Sequence, residues 1–190
     1  MLRKYILAGL ITLLPLVINA EDRRIIPLDM YLIIDDSSAL QNSKKDAIAW
    51  INDHVIDKLL VDGDKITVWA AGDRAQVIQS ETISGSAGKN AVKNRLGTLN
   101  SSAKTADYTG ALRDVVSRIS QSGQDNSRLP YTMLVTGSAE GLVPALTGGN
   151  QSLLRWFRSE EYSRWQVLVV GPDIGRKVQQ AAASYMNSQR

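Results

Sequence analysis

Apolar and polar residues form alternating blocks along the chain, and their spacing predicts strands separated by helices. Short apolar runs bounded by turn residues predict five strands, at 28–34, 65–71, 75–79, 131–136 and 165–170. Longer segments with apolar residues three or four positions apart predict helices at 43–60, 90–99, 109–120, 153–157 and 174–186. The resulting order is β-α-β-β-α-α-β-α-β-α.

The connections between these elements predict the topology of the sheet. The second and third strands are joined only by a turn at Gly72-Asp73-Arg74, so they form an antiparallel hairpin. Every other pair of strands is separated by a helix, which favours parallel pairing. The predicted fold class is α/β: a doubly wound, mostly parallel sheet of about five strands with one antiparallel edge strand and helices on both faces. We interpret 137–150, which contains glycines and Pro144, as a long loop.

The N-terminus has the layout of a secretory signal. Arg3 and Lys4 precede an apolar segment at 6–18, and Ala20 supplies a small residue before a charged stretch. A helix over 6–18 would span roughly 20 Å, less than the roughly 30 Å of a bilayer core. We predict cleavage after Ala20, with a lead-in at 21–27 and one folded domain at 28–190. An uncleaved anchor stays open, because Ile18 is bulky for the third position before a cleavage site.

Composition limits the cellular compartments and the classes of partner that are expected. Removing Arg3 and Lys4 with the signal leaves 20 of the 22 basic residues against 19 acidic ones, which gives little reason to expect nucleic-acid binding. The chain has no cysteine, which excludes disulfides and thiolate metal sites and, in an exported chain, favours a bacterial periplasm. Contact with a membrane is expected only through an uncleaved signal.

The end of the first strand carries a sequence signature. Asp35-Asp36-Ser37-Ser38-Ala39 resembles the D-x-S-x-S motif of the von Willebrand factor A family, with alanine in the last position. Four further stretches resemble motifs of the same family in the same order, at 62–75, 106–112, 134–137 and 167–171. The resemblance covers residue 28 to about residue 186 and implies the family's Rossmann-like α/β fold.

The resemblance also implies a metal site that has lost ligands. In the family, five side chains from three loops hold a divalent cation, usually magnesium. Asp35 and Ser37 match two of these positions, whereas Ala39, Ala106 and Gly137 stand where the family has a serine, a threonine and an aspartate. Hard cations need several oxygen ligands in a defined geometry. We therefore expect a degenerate site with Asp35 and Ser37 as remnants, no tight metal binding and no cofactor.

Two other interpretations of the same residues stay open. Asp36, Asp107 or Glu140 could act as substitute ligands, which would make the protein a magnesium-dependent adhesion module. Alternatively, Asp35, Ser37 and Asp107 could be retained only as capping residues of turns and helices.

Loops that follow parallel strands meet at the carboxyl edge of the sheet, where ligands of open α/β folds bind. Here these are the loops at 35–41, 101–108 and 137–150. The predicted partner-binding residues are Asp35, Asp36, Ser37, Ser38, Thr105, Asp107, Ser138 and Glu140. We expect a non-enzymatic protein-binding module, a component or assembly factor of a periplasmic or envelope-associated complex, whose partner is a protein. The region around Trp156 is a second, less favoured surface.

An α/β hydrolase is the least favoured alternative. His54 is the only histidine and lies off the apolar stripe of its helix, so no Ser-His-Asp triad is expected. An aspartyl nucleophile at Asp35 would need a second acid two residues later, where Ser37 stands.

Overall fold

The computed structural model of the protein describes residues 25–122, 127–148 and 152–171. The predicted signal at 1–20 and the predicted helix at 174–186 lie outside the described residues. Within the described ranges, no helix is both long enough and apolar enough to cross a membrane.

The sheet has five strands in the order β3-β2-β1-β4-β5. The strands are β1 (Leu28–Asp35), β2 (Lys65–Ala71), β3 (Ala75–Thr82), β4 (Leu129–Val135) and β5 (Gln166–Val170). Only β2 and β3 pair antiparallel, and the other neighbours are parallel. The predicted mixed sheet with one antiparallel edge strand is therefore confirmed.

Helices cover both faces of this sheet. They are α1 (Lys44–Trp50), which continues as a π-helical segment (Ile51–Asp57), α2 (Gly85–Leu96), α3 (Tyr108–Gln121), α4 (Ala139–Thr147) and α5 (Leu153–Trp156), with a short 3-10 turn at Glu160–Tyr162. Alternate side chains of β1 enter opposite cores, as its pleat requires. Ile33 packs under α3, α4 and α5. Leu32 packs on the other face, under α1, the π-helical segment and α2.

The interpretation of 137–150 as a loop was wrong, because α4 occupies most of this segment. Leu142, Ala145 and Leu146 recur at helical spacing and are buried, and the area they remove from water favours the helix. Pro144 lies inside α4 and has no N–H for the Glu140 carbonyl, so the helix forms with one hydrogen bond fewer at this position.

The helix predicted to begin at residue 90 starts at Gly85, five residues earlier. The N–H of Gly85, whose φ is +58°, donates to Asp62 Oδ1 at 2.8 Å. Gly88, one turn further along α2, is buried and packs against the Ile83 backbone. His54, predicted to lie off the apolar stripe of its helix, has a side chain that is 50% exposed.

Candidate functional site

The three segments predicted to converge do meet at the carboxyl edge of the sheet, and the third loop is the short turn at 136–138 that precedes α4. The first two are joined by a parallel bridge between Ser37 and Ala103, in which the Ser38 N–H donates to the Ala103 carbonyl at 2.9 Å. The third loop touches the first at Gly137. A Cβ added to Gly137 would lie only 2.4 Å from the Leu40 nitrogen. The loops thus form one continuous surface.

Asp35, the last residue of β1, lies beneath this surface and is 1% exposed. Its Oδ1 accepts the Ser37 N–H at 2.8 Å. Its Oδ2 accepts the Gly137 N–H and the Tyr108 hydroxyl, each at 2.8 Å. Hydrogen bonds to a carboxylate are among the stronger ones in proteins. Three donors from three segments therefore stabilise the buried carboxylate.

Tyr108 and Thr136 are the two site residues that the sequence did not identify. Tyr108 is the first residue of α3, and its hydroxyl oxygen lies 2.5 Å from Thr136 Oγ1. Both side chains are 1% exposed. Thr136 also accepts the Ser138 N–H at 3.0 Å. Burial, followed by the nearby Asp35 carboxylate, raises the pKa of the Tyr108 phenol, so the phenol is a neutral hydrogen-bond donor at physiological pH.

Two of the predicted partner-binding residues are buried. Asp35 and Ser37 are 1% and 3% exposed, so the prediction that they contact a partner is corrected: they support the surface from below. Ser37 Oγ accepts the Ala39 N–H at 3.3 Å. The interpretation of both residues as turn-capping groups is confirmed.

Asp107 also binds backbone. Its Oδ1 accepts the Gly110 N–H at 2.8 Å and makes Asp107 the N-cap of α3, as the capping interpretation predicted. Its Oδ2 accepts the Ala75 N–H at 3.2 Å. The residue therefore joins α3 to the start of β3, and both carboxylate oxygens are in use.

Asp36 holds the second loop in an unusual backbone conformation. Its Oδ1 accepts the Ser101 N–H at 2.6 Å. Ser101 is buried with a φ of +50°, in the left-handed region that costs a residue with a side chain roughly 1–2 kcal/mol. The Asp36 carboxylate offsets part of this cost, so a change at Asp36 alters the loop as well as the surface.

The remaining predicted residues of this edge are more exposed to solvent. Ser38 and Thr105 are exposed, and Glu140 is exposed in the first turn of α4. Ser138 is half-buried and precedes α4. Thr105 donates to Asp73 Oδ1 through its N–H and its hydroxyl, each at 3.1 Å, and these bonds lower the pKa of Asp73.

A polar groove of about 390 Å³ continues the surface toward the β2–β3 turn. Its lining residues with polar side chains are Asp36, Asp73, Arg74 and Gln76. The groove therefore offers both signs of charge next to the exposed ends of the first two loops.

The aromatic cluster around Trp156 is mainly core. Trp156 is half-buried with its ring centroid 6.3 Å from that of Trp165, which is 4% exposed. Phe157 is 41% exposed, so the exposed aromatic of this second surface is Phe157.

The residues at the carboxyl edge do not fit a divalent cation. Both Asp35 oxygens already accept hydrogen bonds, and the Ala39–Leu40 backbone fills the space that a side chain at position 137 would need. Among the proposed substitutes, Asp107 uses both oxygens for backbone N–H groups and Asp36 uses one. Across the described residues, no group of three or more His, Cys, Asp or Glu could hold a metal ion.

Comparison with known sequences gives one weak relative. No family model matches the chain. An uncharacterized protein of Treponema pallidum (strain Nichols) is 26% identical over 138 residues, which cover 71% of this chain and 61% of that protein. The chain therefore spans less than two thirds of the relative's length.

Comparison with solved structures shows the fold. Manganese-loaded TRAP protein of Plasmodium vivax aligns with a TM-score of 0.58 and 16% identity over 83% of this chain and 63% of TRAP. Proximal thread matrix protein 1 of the mussel byssus aligns with a TM-score of 0.56 and 14% identity over 77% of this chain and 37% of that protein. A further structure of the mussel protein, with a TM-score of 0.52, has a zinc-occupied MIDAS motif, the metal-ion-dependent adhesion site.

An aerotolerance-related membrane protein of Bacteroides fragilis aligns with a TM-score of 0.52 and 16% identity over 77% of this chain and 69% of that chain. At these identities the neighbours show the fold alone. The chain has the fold of von Willebrand factor A domains, as the sequence motifs indicated.

Proposed function

We propose that this chain is an exported, non-enzymatic protein-binding module that contacts its partner through the carboxyl edge of a von Willebrand A-type sheet. Its place is a periplasmic or envelope-associated complex, as a component or an assembly factor. The observation that carries the proposal is the joining of the three loops by protein groups alone. The Ser37–Ala103 bridge and the donors on Asp35 form an ordered surface to which no cation has to be added.

The chemistry of this edge favours binding over catalysis. The carboxylates that could act as general acid or base are engaged with backbone N–H groups, as at Asp35 and Asp107. His54 lies on a different segment, where its ring stacks on Trp50 with centroids 5.1 Å apart. A general base must lie within hydrogen-bonding reach of a reacting group, and this edge offers no histidine for that role.

The exposed side chains on this edge are small or polar. Ser38, Thr105 and Glu140 are exposed on this edge, and the groove that Arg74 lines adjoins its first two loops. Such a surface can bind a protein through direct side-chain and backbone hydrogen bonds, with Asp36, Asp107 and Ser138 supporting its shape. A magnesium-dependent adhesion module is the alternative, and it requires the closed position beside Gly137 to open.

Affinity capture from envelope extracts tests the proposed surface. Ser38→Arg places a long cation on the first loop and should reduce capture of the partner at least tenfold. Ser86→Arg is the matched control, because Ser86 is exposed near the start of α2, beside the Asp62 turn at the opposite end of the sheet. Circular dichroism and the unfolding midpoint should be the same for both variants.

The proposal would be contradicted if Ser38→Arg and Glu140→Arg captured as much partner as the unchanged chain while Phe157→Ala captured none. That result would move the interface to the aromatic cluster beside α5. A chelator arm separates the alternative function: capture that disappears with EDTA and returns with magnesium would support metal-dependent adhesion.

A further inference from the structure

A single oxygen atom joins all three loops beneath the proposed surface. Tyr108 follows the second loop, Asp35 begins the first, and Thr136 begins the third. The Tyr108 hydroxyl oxygen lies 2.8 Å from Asp35 Oδ2 and 2.5 Å from Thr136 Oγ1. We infer that the Tyr108 phenol takes over the loop-joining role of the cation in metal-binding domains of this fold, so that the edge is assembled permanently and without metal.

The hydrogen atoms at this junction can be assigned from the number that each group carries. The phenol has one hydrogen, which Asp35 Oδ2 and Thr136 Oγ1 share as acceptors. The Thr136 hydroxyl also has one hydrogen, which it donates to the Ser138 carbonyl at 2.8 Å. Two hydroxyl hydrogens therefore serve three short contacts, all of them between protein groups.

Hydrogen-bond donors from three segments surround the Asp35 carboxylate. An isolated buried carboxylate is costly, and a cation is one way to offset that cost. Here two backbone N–H groups, from Ser37 and Gly137, act together with the phenol. A cation entering this position would have to displace the phenol, and the described residues contain no group of three or more His, Cys, Asp or Glu that could hold it.

Packing prevents the phenol from swinging away. The Tyr108 ring is 1% exposed within the core formed by α3, α4 and the sheet. A Cβ on Gly141 of α4 would lie 3.5 Å from Tyr108 Cε2, so the helix already lies against the ring. Displacing the ring requires movement of α4, which makes the junction a fixed feature.

Amide hydrogen exchange tests the role of the phenol. Tyr108→Phe removes one oxygen and keeps the ring, so it should speed exchange at the Ser37, Gly137 and Ser138 amides about tenfold, the scale of one lost buried hydrogen bond. Tyr31→Phe is the matched control, since Tyr31 is 6% exposed and its hydroxyl bonds to none of the described residues. Exchange at the three amides should be unchanged in the control.

A double-mutant cycle separates this role from general packing. If the phenol acts through Asp35, the effect of Tyr108→Phe on the unfolding constant should shrink at least fivefold in an Asp35→Asn background. Equal effects in both backgrounds, or unchanged exchange at the three amides, would overturn the inference.

Manganese alone provides an independent readout on the unchanged chain. We expect no saturable, selective broadening of the Ser37 and Gly137 amide signals on titration with Mn²⁺. Selective broadening would show a cation at the junction and would refute the inference. None of these measurements needs a partner, so they can fail or succeed separately from the capture experiment.

Discussion

At the scale of single residues, the aspartates of the carboxyl edge serve mainly to bind backbone. Asp35, Asp36 and Asp107 each accept at least one backbone N–H, and Asp36 supports the left-handed Ser101. The sequence identified these carboxylates as metal remnants, substitutes or caps, because a metal ligand and a capping aspartate occupy the same kind of turn. Only the contacts in the folded chain distinguish them.

The residues that complete the network could not be found from local sequence. Tyr108 and Asp35 are 73 positions apart, and Tyr108 and Thr136 are 28 apart. Tyr108 matched no ligand position and was interpreted as part of a loop-to-helix motif, and Thr136 as the end of a strand. A hydrogen bond between such distant positions depends on the tertiary fold, which spacing alone does not specify.

The buried tyrosines predict sensitivity to alkali. Burial, with the Asp29 carboxylate as a second cause, raises the pKa of Tyr31 to about 12 from its ordinary 10.0. The folded state holds the Tyr31 proton more tightly than the unfolded state does. The Tyr31 phenol therefore contributes fully to the free energy of unfolding below pH 10, and this contribution is lost as the pH rises toward 12. The urea midpoint should fall over that interval.

The urea midpoint of Tyr31→Phe should fall less steeply over the same pH interval, because this variant lacks one of the groups that titrate. Tyrosinate absorbance measured in parallel should rise together with unfolding. Ionisation of every tyrosine near pH 10 in the folded chain would contradict the predicted shift.

At the scale of elements, the alternation of strands and helices and the hairpin between β2 and β3 followed directly from the sequence. Apolar runs in β1 and β2 are buried on both faces, which is why their patterns were clear. The α4 segment was missed because Gly141, Pro144 and Gly148 outweighed its apolar residues in the interpretation. Burial of Leu142 and Leu146 against the sheet decides the conformation instead.

The close contact between the first and third loops can be tested with two glycines. Gly137→Ala adds a Cβ only 2.4 Å from backbone atoms of Ala39 and Leu40, so it should destabilise the fold by about 2 kcal/mol or more. Gly141→Ala is the control: its nearest atom is 3.5 Å away and it lies within α4, where alanine favours the helix by up to about 1 kcal/mol.

Urea unfolding of both variants measures the difference. Gly137→Asp, which restores the family's carboxylate, should be at least as unstable as Gly137→Ala and should not be rescued by magnesium. A stable Gly137→Asp variant that gains stability with magnesium would contradict the closed geometry of the junction.

At the scale of the whole molecule, the length of β1 sets the distance between the amino edge of the sheet, where the strand begins, and the proposed binding surface at the carboxyl edge. β1 begins at the amino edge of the sheet and finishes at Asp35 on the opposite edge. Eight residues of strand cover roughly 26 Å at about 3.3 Å per residue. The proposed binding surface therefore lies on the far side of the domain from the N-terminus of β1.

Export makes a prediction about the mature chain. Mass spectrometry of the protein from a periplasmic fraction should give an N-terminus at Glu21, because the segment at 6–18 and Ala20 have the layout of a cleaved signal. A chain that retains Met1 and sediments with membranes would instead establish the uncleaved anchor.

The most direct test of the central claim, an ordered binding edge that needs no cation, is the melting temperature of the purified chain with and without millimolar magnesium or manganese. A bound cation at a hundredfold excess over its Kd would stabilise the fold by about 2.7 kcal/mol. We predict that the melting temperature is the same with either cation and with EDTA. An upward shift that EDTA reverses would contradict the account.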